Sequence, residues 1–360
     1  MRTLFVAILP FALFSMLATL PGPAFSQQPG APGTAGRSLR QDLFPDGRGR
    51  DLSRRSIGGA ILGFTVDEAG GVRLIRGVTG AASFSSPVAS VRDLTVWALS
   101  SRGGYVLGAA RQSGRLTLLR NLAAVPEPVE LPVDAGRNPI IALSPLGSAA
   151  AVFDAARGRL MIFAGLPGHP FPRWRVAADS LPGRIRTLAV SDSGDAVLAA
   201  AGNSLVRLRP AAAWDFVAPL AGSARLAFVP GCDEAVFLDE AALEAVRVRF
   251  TPSGALLEPL FGAADGLREP VAVAVGGGGR TVYVADAALP GVFAFDLGSR
   301  SLSVVRSPRA PATLARLRGE RLFRLTSGAR EPVYVYDGSR ASPRVAFIPA
   351  AIDAIDGGGK

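Results

Sequence analysis

Apolar residues in this chain fall in short runs separated by clusters of Gly, Ser, Asp and Pro, and after the N-terminus no stretch keeps a long helical period. The runs come in pairs. Leu94–Ser100 precedes Tyr105–Ala110, Pro139–Ser144 precedes Ala149–Phe153, and Ile185–Ser191 precedes Ala196–Ala200. Ala224–Val229 precedes Ala235–Leu238, Pro270–Val275 precedes Thr281–Ala285, and Pro311–Leu317 precedes Arg321–Leu325. Each pair is joined by a short polar turn, such as Ser191-Asp192-Ser193-Gly194-Asp195, in which Gly and Asp supply the backbone freedom of a tight hairpin. The turns start at Ser100, Ser144, Ser191, Pro230, Gly276 and Arg318, a recurrence of about 44 residues.

A second kind of run ends in Asp and soon reaches Gly: Phe64–Asp67, Phe293–Asp296 and Tyr334–Asp337. Further strands follow at Val72–Arg76, Leu302–Arg306 and Val345–Ile348. An Asp that opens a turn accepts hydrogen bonds from the backbone just after it, which is a structural role. Taken as equivalent, these runs make each unit about four strands, one small antiparallel sheet. The pattern predicts an all-β fold, a β-propeller of four-stranded blades over residues 57–349. Six first halves and seven second halves predict seven blades, the N-terminal one incomplete or pairing with the C-terminal strands. The alternative is six blades and an extra hairpin.

The segment Pro270–Asp286 resembles the YVTN-type bacterial repeat family through Pro270, Val273-Ala274-Val275, Gly279, Val282-Tyr283-Val284 and Ala285-Asp286, with Gly276–Gly278 replacing the family's Ser-Pro-Asp turn. Other units match loosely. The resemblance implies a bacterial-type propeller and transfers no active site. The chain is unlike the WD type, because Trp214-Asp215 stands at no repeated position.

The N-terminus has the form of a secretory signal over 1–26: Arg2, an uncharged apolar run from Leu4 to Leu20, and Ala24-Phe25-Ser26 as a small-x-small cleavage site. Retention as an anchor is the alternative, opposed by Pro10, Pro21 and Pro23. Residues 27–56 form a flexible Gly/Pro/Arg-rich linker and 350–360 a disordered tail. The expected location is periplasmic or secreted, with no transmembrane segment once the signal is removed. A single Cys, Cys232, leaves no internal disulfide, so packing must hold the fold. The net charge of +10 is carried almost wholly by Arg, dispersed among the units and alternating with apolar residues in Ser204–Arg209 and Ala245–Arg249. That period places Arg on the solvated face of a strand, not in a nucleic-acid footprint.

Catalytic residue types are scarce. The one His, His169, has no evident partner in its Pro/Gly loop, and one His with one Cys cannot hold zinc, haem or an iron–sulfur cluster. No cofactor is expected; calcium is the one left open, through loop carboxylates such as Asp134, Asp179, Asp265 and Asp286 directed into a propeller channel. Gly276–Gly279 joins two strands and is a hairpin turn, not a phosphate loop. The densest surface constellation is His169, Phe171, Arg173 and Trp174, a candidate partner-contact loop, since Trp, Phe and Arg are enriched in binding hot spots. The expectation is an exported non-enzymatic binding or assembly module with a protein or envelope-polymer partner. The alternative is a lactonase-like or other hydrolase using channel carboxylates and calcium.

Overall fold

The computed structural model describes residues 59–212, 214–326 and 331–350. The expected signal, the linker and all of the tail beyond Ala350 lie outside these residues. The first sheet holds β1 (Ile61–Val66), β2 (Gly71–Val78) and β3 (Ala81–Ser90). The second holds β4 (Leu94–Ser100), β5 (Tyr105–Ala110), β6 (Arg115–Arg120) and β7 (Glu127–Asp134). The third holds β8 (Ile140–Leu143), β9 (Ala149–Asp154), β10 (Arg159–Ala164) and β11 (Phe171–Ala177). The fourth holds β12 (Ile185–Val190), β13 (Val197–Ala201), β14 (Ser204–Leu208) and β15 (Trp214–Pro219). The fifth holds β16 (Ala224–Phe228), β17 (Glu234–Asp239), β18 (Glu244–Thr251) and β19 (Gly254–Gly262). The sixth holds β20 (Pro270–Gly276), β21 (Thr281–Asp286), β22 (Gly291–Asp296) and β23 (Ser301–Arg306). The seventh holds β24 (Ala315–Arg316), β25 (Leu322–Arg324), β26 (Val333–Asp337) and β27 (Arg344–Ile348).

All neighbouring strands within a sheet are antiparallel, and the order in each sheet follows the chain. The first strands β4, β8, β12, β16 and β20 neighbour one another in turn, which places them innermost around a central channel. The molecule is thus a seven-bladed β-propeller. No helix among the described residues is long and apolar enough to cross a membrane.

The second strand of a blade is buried on both faces, and β9 and β21 are buried at every position. Small residues there, Ala149–Ala151 and Ala199–Ala201, let adjacent blades approach closely. A blade alone would leave two apolar faces wet, so stability resides in the gaps between blades. One buried cluster fills each gap. Tyr283, Phe323 and Tyr336 meet between blades 6 and 7, with Tyr283 ring centroids 4.8 Å from Phe323 and 5.5 Å from Tyr336. The ring closes where Ile75 and Ala82 of blade 1 pack on Leu317, Leu322, Val335 and Ile348. Burying each large side chain of such a seam contributes about 1.5–3 kcal/mol. Hydrogen bonds finish the closure: the Arg318 N–H donates to Leu62 O at 2.6 Å, and Arg324 Nη1 donates to Thr65 Oγ1 at 2.6 Å.

Blade 1 departs from the expected alignment. Phe64–Val66 lies in β1, which starts beside the turns at 101–104 and 317–318 and ends at Asp67. It therefore runs as second strands do, like β9, β17 and β21, which end in Asp154, Asp239 and Asp286. Phe293–Asp296 and Tyr334–Asp337 are third strands. Second and third strands are both buried runs that close on an Asp, so the sequence signal does not separate them. The described part of blade 1 is its outer three strands, including β3, a Ser-rich edge that the apolar pattern missed. Similarly, only Ala315–Arg316 of the run Pro311–Leu317 is strand, because Ala312 and Thr313 both donate to Leu325 O and leave the ladder.

Of the Arg residues alternating in Ser204–Arg209 and Ala245–Arg249, Arg209 and Arg249 are exposed as expected, and the other two sit differently. Arg207 is mostly covered, paired with Asp233, its guanidinium 4.0 Å from the Phe250 ring centroid. Arg247 donates to Glu234 at 2.6 and 3.0 Å. These are third strands, not outer ones, and the carboxylates on adjoining elements are what let the Arg residues tuck in.

Candidate functional site

The turns after the innermost strands share one face of the ring and are bonded to each other. Ser144 Oγ accepts from the Ser148 and Ala149 N–H groups at 3.1 and 3.0 Å, and Ser191 Oγ accepts from Ala196 N–H at 3.1 Å, so the Ser that opens each turn also ties it shut. Gly194 in one turn and Gly277–Gly279 in another have φ from 61° to 83°, the left-handed region that glycine tolerates. Between blades, Tyr105 OH donates to Gly147 O at 3.0 Å. Asp192 joins three blades: its carboxylate accepts from Leu146 N–H at 2.7 Å on blade 3 and Gly231 N–H at 2.9 Å on blade 5. Gly277 N–H donates to Glu320 O at 3.1 Å, and Phe64 N–H donates to Ser101 Oγ at 3.3 Å.

Inside this face the channel holds a cavity of about 310 Å³, walled by Leu143, Val190, Phe228 and Val275 of four innermost-strand segments and by Arg316 of β24. The Arg316 guanidinium donates through Nη2 to Val275 O and lies 5.7 Å from the Phe323 ring centroid. Its Nη1 is buried with no protein acceptor. Burial first, and then the charge of Arg102, pull its pKa below the ordinary arginine value, while Glu320 and Asp192 act the other way. Three further arginines stand on the adjoining turns: Arg102, Arg318, whose guanidinium is 5.6 Å from the Phe64 ring centroid, and Arg321, whose charge reaches Tyr283 as that of Arg316 does. None of the four makes an ion pair among the described residues. Trp97 on β4 is 37% exposed although its strand is innermost. It shares the sheet side of Leu99 and Val106, which pack toward blade 1, where no innermost strand covers it among the described residues.

The sequence constellation His169, Phe171, Arg173 and Trp174 is not one loop. His169 is in the loop between β10 and β11, exposed. Phe171, Arg173 and Trp174 belong to the outer strand β11. The ladder skips Arg173, pairing Phe163 with Pro172 and Ile162 with Trp174, and this bulge turns both Arg173 and Trp174 to blade 4. Arg173 pairs with Asp195 at 2.6 Å, and Trp174 Nε1 donates to Gly194 O at 2.6 Å while its ring joins the cluster between blades 3 and 4. Phe171 stays 48% exposed. A groove of about 470 Å³ runs along this edge beside Pro132, Arg159, Pro172 and Arg175.

The four loop carboxylates are not brought together. Asp134 pairs with Arg157 at 2.7 Å, Asp265 accepts from Gly262 N–H at 2.9 Å, and buried Asp286 accepts from the Arg268, Glu269 and Leu289 N–H groups. Asp179 stands in a short 3-10 turn. No group of three or more His, Cys, Asp or Glu assembles among the described residues. Cys232 is exposed in the turn between β16 and β17. The reading of the sequence missed Arg316; the available signal was a charged residue inside an otherwise apolar innermost run.

No family model matches the chain, that of the YVTN-type repeat included, and no curated protein matches it. Solved structures do. Virginiamycin B lyase from Staphylococcus aureus, a catalytically inactive histidine-to-alanine variant with quinupristin, is similar at a TM-score of 0.52 and 13% identity, over 74% of this chain and 87% of that one. A functionally unknown protein from Desulfotomaculum acetoxidans DSM 771 is similar at a TM-score of 0.54 and 14% identity, over 81% of this chain and 100% of that one. At such identities the likeness is one of fold.

Proposed function

We propose that this protein is an exported, non-enzymatic binding module whose working surface is the turn face and the channel it surrounds. The observation that carries this reading is the cavity of about 310 Å³ inside the channel, lined by residues of four innermost-strand segments with the cation of Arg316 among them. The turns around it are bonded into a rigid rim, the preorganisation that recognition needs. Export is inferred from the N-terminal signal pattern and is tested by fractionating expressing cells, where recovery in the cytoplasm alone would overturn it; sequencing the N-terminus then separates a cleaved signal from a retained anchor, which would still start at Met1.

The lyase likeness raises an enzyme as the second reading. It finds little support in the site: the one His here, His169, is on the outer edge, and no acidic side chain walls the channel cavity. The hydrolase reading with calcium is tested by thermal unfolding with calcium and then chelator, alongside turnover of a panel of lactones and esters. The binding reading expects neither a calcium-dependent rise in Tm nor turnover. A strong calcium stabilisation reversed by chelator, with hydrolysis, would replace it. If a protein or envelope polymer is the partner, His169 and Phe171 are the residues of the outer edge free to meet it, because Arg173 and Trp174 are committed to blade 4.

A further inference from the structure

We propose that residues 352–357, from the tail beyond the described residues, fill the open inner position of blade 1 as its innermost strand and so complete the ring. The sequence pattern leaves blade 1 either incomplete or paired with C-terminal strands; the topology names the occupant and its register. Every other blade has a first strand beside its second, whereas β1 has only β2 beside it among the described residues. The chain arrives at this position by its ordinary route. Elsewhere the outer strand of one blade leads to the innermost strand of the next through three to eight residues. β27 is the outer strand of blade 7, and blade 1 is the next blade round the ring. Three residues separate Ile348 from Ile352, as three separate Ser90 from Leu94 between blades 1 and 2.

The residues ahead of β1 do not supply this strand by the hairpin used elsewhere. In blades 3, 4, 5 and 7 the carbonyl that begins the second strand accepts from its own blade's turn: Ala149 O from Ser144, Ala196 O from Ser191, Glu234 O from Val229 and Leu322 O from Leu317 N–H. The matching carbonyl of blade 1 is Leu62 O, five residues before Asp67 as Ala149 is five before Asp154, and its donor is Arg318 of blade 7. Ahead of Leu62 the chain is still bonded to β2, through Gly77 N–H on Ala60 O at 2.9 Å, so no tight turn carries it inward at that level. The Phe64 N–H shares the inner edge with Leu62 O by the alternation of an antiparallel strand, and it meets only the Ser101 hydroxyl of blade 2 at 3.3 Å. Such an edge is a template for one more strand. Three innermost strands carry an apolar residue, a register shift and a second apolar residue three places on: Leu94 and Trp97, Ile185 and Leu188, Pro270 and Val273. Ile352 and Ile355 repeat that spacing, and Gly357–Gly359 follows them as Gly276–Gly279 follows Val275. In the register of Ile185 on Ala201, Ile352 pairs with Asp67, Ala354 with Val66, Ile355 with Thr65 and Asp356 with Phe64. Asp356 then lies opposite the residue whose ring is 5.6 Å from the Arg318 guanidinium, so the charges are complementary.

The test is a cysteine cross-link in the full mature chain. In a Cys232→Ser background, Val66→Cys with Ala354→Cys puts two thiols on facing positions of neighbouring strands, within the reach of a disulfide. Oxidation at low protein concentration is expected to join positions 66 and 354 within one chain, read by mass spectrometry of the proteolytic fragments. Val66→Cys with Lys360→Cys is expected to join about tenfold less. Amide exchange gives a second reading. Ile352→Asp with Ile355→Asp should speed exchange at Phe64 and Val66 about tenfold or more relative to Leu198 of β13, and Asp353→Asn should leave it unchanged. Should the double variant fail to fold, the cross-link still decides. A 66–354 link no more frequent than the 66–360 link, with exchange in β1 unmoved by the double variant, would overturn the proposal. So would Val66→Cys joining Leu52→Cys in preference to Ala354→Cys, which would give the position to the segment ahead of β1. Links found only between two chains would give it to a second copy and overturn the proposal equally.

Discussion

Two arcs of the same face use the same turn position for opposite ends. Across blades 3 to 5, Asp192 occupies the turn and locks three blades through backbone N–H groups on either side. Across blades 7 to 2, the turns hold Arg102, Arg318 and Arg321 with Arg316 behind them, and the cross-links between blades are made by backbone, by Ser101 and, deeper in the ring, by Arg324 on Thr65. One arc spends its charge on internal bonds and the other leaves it available. The difference teaches that a blade turn is structurally interchangeable only where the neighbouring turn supplies a complementary group. Around the ring, function is available where the internal bonding is incomplete.

Four measurements sharpen or break that contrast. The largest effect is expected from Asp192→Ala, which leaves two backbone donors without their charged acceptor: a loss of about 2 kcal/mol in urea unfolding. A change within error would mean the arc is not held by this carboxylate. Tyr105→Phe, at the joint between blades 2 and 3, removes the donor to Gly147 O inside a fully buried ring and should lose about 1 kcal/mol.

Acid should act on the other arc. Burial pushes the Asp67 carboxyl up, but the hydrogen bonds from Arg73 and Gly71 N–H and the Arg73 charge outweigh it and hold it below the usual carboxylate range. Asp337 is likewise lowered: burial raises it, and the hydroxyls of Ser339 and Thr79 more than reverse this. A carboxyl lowered in the folded state contributes stability that is complete above its unfolded value, about 3.9, and is lost as pH falls below that toward the folded value. Amide exchange of β1 and β26 should therefore accelerate relative to β13 below about pH 4. Uniform acceleration would place the acid-sensitive groups elsewhere. The smallest effect is expected from Arg316→Met, within about 1 kcal/mol of the parent and of either sign, because an unpaired buried cation gives way to a packed side chain. A large loss would make Arg316 a structural strut and remove it from the binding site.

Much of the ring was legible along the chain. Leu94–Ser100 and Tyr105–Ala110 are strands at the expected bounds, and the turn-opening Ser residues do the same job in three blades. Hairpins are local, so their signals lie within a few residues. The outer strands were hardest to read, as β3 and β11 show, because they are half wet and carry Ser, Pro and Arg in place of an apolar run. The candidate site was less legible. His169, Phe171, Arg173 and Trp174 are close in sequence, yet one bulged register commits two of them to a neighbouring blade. Arg102 and Arg316 are 214 residues apart, and the charge of one reaches the other only because the ring closes.

Sequence alone determined the recurring hairpins, the turn chemistry and the need for each sheet to bury two faces, since these follow from side-chain alternation and backbone freedom over a few residues. Tertiary structure decided which strand of a unit β1 represents, which Arg residues find a carboxylate and which do not. Those outcomes depend on the angular placement of blades around the closed ring, a distance in space that no local pattern of residues encodes.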